Sequence, residues 1–253
     1  MGVVAVHTGA RDDGGSLVQR SVQAVTDFIR EQGLRVGDSL PGEAYFATSL
    51  GVSRAVMREA FGAMAALHLI DVGNGRKPRV AALDGAVMAS SLGHAVDTAQ
   101  ITVPEVWDVR RTIELRTVAL AATHRTEDEA RRIIDLAEAM AVAMDDLPAM
   151  TRHDIAFHDA IAKASHNALF VQIVSSFGPL METAVPTAWA TRATEAERQA
   201  TIERHRAVAR AIFAGDPAAA VAAMDDHFET AVGDVLKAQA QGVKGRGREE
   251  HGK

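Results

Sequence analysis

Residues 151–167 read TRHDIAFHDAIAKASHN, three histidines and two aspartates in a stretch with a helical pattern. Asp154 and His158 stand four apart, which on a helix puts both on one face a single turn apart, where they can share a metal ion. An ion held there could activate water, bind a ligand through oxygen, or brace the fold. The spacing alone is weak evidence, because 33 acids and 10 histidines give about one acid-x-x-x-His pair by chance. Two more histidines add to it: His205 in TIERHRAVARAIF and His227 in AAMDDHFETAV, each in the middle of a helical pattern. Helical bundles build internal metal sites from single inward residues on facing helices plus one turn-spaced pair. His153 and His166 are read as solvated or supporting residues.

The elements that must position these side chains are helices almost throughout. The chain has 253 residues, 47% hydrophobic and 24% charged, enough for two domains with cores of their own. Residues 1–15 and 239–253 are Gly-rich and polar and read as a disordered arm and tail. Residues 16–81 read as three short helices and a hairpin, 82–100 as a linker with a short helix, and 101–238 as an all-helical bundle. Its later helices are expected at about 149–165, 167–184, 194–214 and 217–238. With no cysteine, thiolate sites and disulfides are excluded, and His, Asp and Glu are left as the strong metal ligands. No apolar run approaches the ~20 residues of a membrane span, and no signal peptide opens the chain, so a cytoplasmic protein without a membrane partner is expected.

The net charge of -6 argues against coating nucleic acid through bulk positive charge. Residues 51–80, however, hold five Lys or Arg against two Asp or Glu, a locally basic segment on an acidic body. Three helices and a hairpin are the order of a winged helix-turn-helix, whose third helix enters the DNA major groove. Ser53 can cap that helix, and Val56, Ala60, Met64 and Leu67 form its inward stripe. Arg54 and Arg58, one turn apart, project the other way, where donors to bases or phosphates must sit. LIDVGNGRKPRVAAL supplies the hairpin, with Arg76, Lys77 and Arg79 beside Asn74 and Gly75.

Residues 40–70, LPGEAYFATSLGVSRAVMREAFGAMAALHLI, resemble the N-terminal signature of GntR-family transcription regulators. That resemblance implies that Ser53, Arg54 and Arg58 contact operator DNA and that Gly75 and its neighbours Asn74, Arg76 and Lys77 form the wing tip. One position departs from it: many members carry arginine directly after the glutamate of the second helix, where this chain has Ala44. A different operator, weaker binding, or both are expected.

The body resembles the ligand-sensing helical domain of the FadR-like branch of the same family, in its metal-containing form (FCD type). The resemblance implies a ligand set of Asp154, His158, His205 and His227, suited to Zn2+ with Ni2+ or another divalent ion also admissible. It places Arg110, in EVWDVRRTIE, facing the cavity, where a guanidinium can clamp a carboxylate. Asn167 and Trp189 are further candidates for the effector pocket wall. The expectation is a mainly α protein, a winged helix-turn-helix joined to an all-α bundle, acting as a homodimeric repressor relieved by a small organic or sugar acid. The rival reading is a metal-dependent hydrolase built on the same four residues, which needs a general base such as Asp159 or Glu203 near the metal-bound water.

Overall fold

The computed structural model describes residues 16–73 and 75–230. The expected arm and tail, Asn74, and residues 231–238 of the last expected helix lie outside the described residues. The chain divides into two compact units between Val87 and Met88.

In the first unit, α1 (Leu17–Glu31) starts at a capping box in which Ser16 and Gln19 satisfy each other's backbone N–H groups. Helix α2 (Glu43–Leu50) stops at Gly51, whose φ of 65° is the left-handed conformation that glycine adopts without strain. Helix α3 (Arg54–Ala66) starts at Ser53, whose hydroxyl accepts the Val56 N–H at 3.2 Å. The core gathers Val25, Phe46, Met57, Phe61, Met64 and Ile70. The inward stripe of α3 is therefore Met57, Ala60, Phe61 and Met64, a correction to the expected one. Val56 is only half-buried and Leu67, at the C-cap, is 52% exposed. Spacings of three and four from Met57 bring two large side chains, Met57 and Phe61, onto the Phe46 ring.

The wing is the expected antiparallel hairpin, with a longer connection between its strands. Strand β1 (Ile70–Asp71) pairs antiparallel with β2 (Arg79–Val80), Ile70 opposite Val80 and Asp71 opposite Arg79. Residues 72–78 lie between them, so the turn is a loop rather than a two-residue connection at Asn74 and Gly75. On its other edge β2 is held by residues 37–40: Ser39 bridges to Arg79, and the Leu40 N–H donates to the Pro78 carbonyl at 2.8 Å. A two-residue strand pair is marginal alone, and this third edge, anchored by buried Leu40, fixes the wing's base.

Helix α4 (Ala86–Asp97) runs through the division and has no buried residue. The second unit then contains α5 (Val103–His124), α6 (Glu127–Val142), α7 (Leu147–Ala164), α8 (Ala168–Ser176), α9 (Gly178–Ala190) and α10 (Glu195–Ala214). A last helix, α11, covers 217–230 among the described residues. Threonine capping boxes open α5, α6 and α10 through Thr102, Thr126 and Thr194. Ile133, Phe157, Ile161, Val208, Ile212 and Phe228 are fully buried in the bundle core. One expected helix, 167–184, is two: α8 and α9 meet at a 52° bend around Phe177, where Gly178 and Pro179 interrupt the helical pattern. Among the described residues no single helix is long and apolar enough to cross a membrane, although α8 and α9 together pass that test by length and composition.

Arg125 and Gly215 lock α5 to the end of α10. The Arg125 guanidinium donates to the carbonyls of Ile212 and Phe213 at 2.8 and 2.9 Å, taking up acceptors that a helix end leaves unpaired. Gly215 has φ 70°, and a Cβ there would lie 2.8 Å from Arg125 Nη2. Gly215→Ala is thus expected to lower stability by about 1–2 kcal/mol, read as a reduced urea midpoint. An unchanged midpoint would show that the clamp yields at no cost.

Candidate functional site

Three helices converge on one buried cluster. Asp154 and His158 come from α7, His205 from α10 and His227 from α11, and all four are buried. One ring nitrogen from each of His158, His205 and His227 lies within 4.8 Å of the others. Ligands of a tetrahedral ion at about 2.0 Å stand about 3.3 Å apart, a closure within reach of small side-chain rotations. Asp154 Oδ1 is 3.0 Å from His205 Nε2, already at the separation of two ligands on one ion.

The outer nitrogens show which atoms face inward. His205 Nδ1 lies 2.9 Å from the Thr201 carbonyl and its Nε2 hydrogen-bonds Asp154 Oδ1, so the Thr201 carbonyl can keep a proton on Nδ1 when an ion takes the Nε2 lone pair. His158 Nδ1 hydrogen-bonds Glu114, and its Nε2 is buried with no protein partner. An orphaned imidazole nitrogen on a cluster of two other histidines and a carboxylate is the donor set that a divalent ion requires. Burial, reinforced by the neighbouring His205 and His158, holds His227 well below the usual imidazole range, in the neutral form that binds metal.

Glu114 is the site residue that sequence reasoning missed. It stands one turn after Arg110 on α5, and its two oxygens divide between Arg110 Nε, at 2.5 Å, and His158 Nδ1. Burial pushes the Glu114 carboxyl up, but Arg110 and His158 together outweigh it and hold Glu114 ionised. Asp154 behaves likewise: burial is overcome by the His205 hydrogen bond and by the charges of His158, His205 and Arg110. The usable signal was the Arg-x-x-x-Glu spacing in RRTIE, an ion pair on one helix face.

Arg110 is 2% exposed and lines a small cavity together with the four cluster residues and Trp189. Its Nη1 points at Met181 Sδ at 2.6 Å, and its guanidinium lies 5.1 Å from the centre of the Trp107 ring. Arg192, stacked 5.2 Å from the Trp189 ring, adds a second guanidinium to the lining. The cavity measures about 30 Å3, close to one water molecule's share of the liquid. Asn167 is not among its lining residues. It is exposed and caps α8, accepting from the N–H groups of Leu169 and Phe170 at 3.0 and 3.4 Å, so its role here is local. Asp159 accepts from Ser175 and Glu203 pairs with Arg210. Neither candidate base lines the cavity, and His166 pairs with Glu129 at the surface.

In the first unit Arg54, Arg58, Gly75, Arg76 and Lys77 are all exposed. Arg58 Nε lies 3.8 Å from Glu43, with the arginine side chain 79% exposed, a loose pairing that leaves the guanidinium available. Ser53 is committed to its cap, and Ala44 is exposed on α2.

Comparison with known proteins accords with this architecture. The FCD domain model matches residues 105–230. The HTH-type transcriptional regulator LutR of Bacillus subtilis is 32% identical over 83% of this chain and 96% of its own. The Glc operon transcriptional activator of Escherichia coli is 29% identical over 87% and 89%. The solved structure of Streptococcus agalactiae GntR shares the fold with a TM-score of 0.64 at 24% identity, covering 85% of this chain and 98% of that one. A winged head followed by an FCD domain defines a class of transcription regulators. The chain belongs to the GntR family, and it is a DNA-binding regulator, not the hydrolase of the rival reading.

Glu114 sets the orientation of His158 and offsets Arg110. Glu114→Gln is accordingly expected to weaken Zn2+ binding about 10–100-fold, measured by competition with a chromogenic chelator. Unaltered Zn2+ affinity would mean that the Glu114 contact does not orient the ligand.

Proposed function

We propose that this regulator senses a small carboxylic acid through a divalent ion, most suitably Zn2+, held by Asp154, His158, His205 and His227. The observation that carries the reading is the buried, unpartnered Nε2 of His158 among these residues. Three imidazoles and a carboxylate suit Zn2+, with Ni2+ or another divalent ion admissible. When bound, the ion supplies a Lewis-acidic point for a carboxylate or hydroxyl oxygen.

Charge balance favours an anion as the partner. The buried carboxylates of Glu114 and Asp154 are already partly offset by the Arg110 guanidinium, so a divalent cation leaves the site with excess positive charge, and a bound acid reduces it. Arg110 holds the acid's charge while Glu114 fixes Arg110 in place, and Trp189 forms part of the apolar wall.

An acid larger than the 30 Å3 cavity enters only if a wall yields. Helix α9 is that wall: it contributes Val185, Ala188 and Trp189 to the cavity, contains Pro186, and on its other side borders a groove of about 390 Å3 beneath α4. Proline inside a helix removes one backbone hydrogen bond and weakens it there. Because α4 leads the chain to the head, displacement of α9 gives the acid a route to change operator affinity.

In the head, Arg54 and Arg58 on α3 contact operator DNA, with Gly75, Arg76 and Lys77 on the wing against the backbone. The regulator works as a cytoplasmic homodimer on two half-sites. Supporting self-association, six of the nine residues of α8 are apolar, yet it buries only Val174 and Ser176 and leaves Leu169 58% exposed. Repression relieved by the acid is the mode proposed; NanR of Escherichia coli, 25% identical, is a transcriptional repressor.

Metal-loaded and chelator-treated protein, melted against a panel of organic and sugar acids, tests the reading. An acid at ~100 times its Kd adds about 2.7 kcal/mol of stability, expected only with metal. Stabilisation by metal and by no acid would reduce the site to a structural brace.

The two modules should also separate by mutation. Arg58→Ala is expected to weaken binding to an operator selected from random duplexes about 5-fold or more with metal content intact, and His158→Ala to abolish metal content while sparing metal-free DNA binding. Equal damage to both properties by each change would contradict the assignment.

A further inference from the structure

Among the described residues, two buried side-chain nitrogens have no hydrogen-bond partner: His158 Nε2 and Trp107 Nε1. Both residues line the same cavity. Native proteins pair nearly all buried polar atoms, so each exception calls for a ligand, a water or a function. A metal ion accounts for the histidine, whose lone pair it takes. It does nothing for the tryptophan, because an indole N–H is a donor only and a cation accepts no hydrogen bond.

Trp107 is also firmly placed. It is 4% exposed, its ring packs edge-on against Phe228 at 5.8 Å, and the Arg110 guanidinium lies 5.1 Å from the ring centre. Trp107 and Arg110 are three apart on α5 and share a face. Resting on the reading of the cavity as a metal-dependent acid sensor, we infer that Trp107 is an effector-recognition residue, its indole N–H donating to an oxygen of the bound acid. A carboxylate fits this requirement: one oxygen can face an ion while the second keeps lone pairs for a donor. The inference separates a sensor from a brace, since a purely structural ion leaves the Trp107 donor unsatisfied. It also gives the site a preference for ligands that present an oxygen at the Trp107 edge over isosteres that present a methyl group there, because rejecting the latter costs a buried donor its partner.

The chain has two tryptophans, Trp107 and Trp189, so full-length protein labelled with 15N-tryptophan gives two indole N–H signals, assigned by the one lost in Trp107→Phe. Zn2+-loaded protein is titrated separately with acetate, glycolate and succinate, following both signals and the melting temperature. The expected result is that an acid which raises the melting temperature also moves the Trp107 signal downfield, and that Trp107→Phe binds that acid about 10-fold more weakly or worse with Zn2+ affinity unchanged. An acid that stabilises the protein without moving the Trp107 signal overturns the inference and leaves the sensor reading intact. If no acid stabilises the Zn2+-loaded protein, the sensor reading falls and the inference with it. Should Trp107→Phe fail to fold, the signal shift in the unaltered protein decides.

Discussion

The Glu114 carboxylate, buried between Arg110 and His158, is the contact on which the rest of the site depends. An isolated buried arginine is strongly disfavoured, and an isolated buried carboxylate equally so. Placed one helical turn apart on α5 they satisfy each other, and the second carboxylate oxygen is left to hold a histidine on another helix. That one bond fixes which nitrogen of His158 carries the proton, and so which turns toward His205 and His227. The pairing of α5 with α7 is thus chemical as well as apolar. A loss at Glu114 disturbs the ligand, the guanidinium and the packing together, so its consequences cannot be additive.

Around this contact the bundle builds a small chamber lined by both carboxylate and guanidinium groups. Its sides are α7, α10 and α11, tied by Phe157, Val208, Ile212 and Phe228 at the centre of the core. Helix α9 is the exception, carrying Pro186 and separated from α8 by a bend. The division of labour is physically sensible: ligand atoms need placement within fractions of an ångström, whereas the wall that admits a ligand must be able to move.

Much of this was legible in the chain. The shared face of Asp154 and His158 could be read because helical periodicity converts their spacing into it, and the ends of α2, α3 and α10 announce themselves through Gly51, Ser53 and Gly215. What escaped notice had no local signature that sets it apart from ordinary packing or a surface ion pair. Trp107 resembles any core tryptophan until its N–H is found without an acceptor, and Glu114 resembles a surface ion pair until α7 brings His158 against it. Asn167, a candidate for the pocket wall, has its side chain used to cap α8 instead. The stripe on α3 was misjudged at two positions, Val56 and Leu67, because both fit a helical period with Ala60 and Met64, and only the packing of Met57 and Phe61 into the core with Phe46 decides against them.

The central claim is that one divalent ion is held by three imidazoles and an aspartate inside the second unit. X-ray absorption at the zinc edge on full-length protein, saturated with Zn2+ and then dialysed, tests it most directly. The account predicts one equivalent per chain, with a nitrogen and oxygen shell at about 2.0–2.1 Å and scattering from three imidazoles. Protein that retains no zinc, or zinc in a shell of oxygen alone, would contradict it.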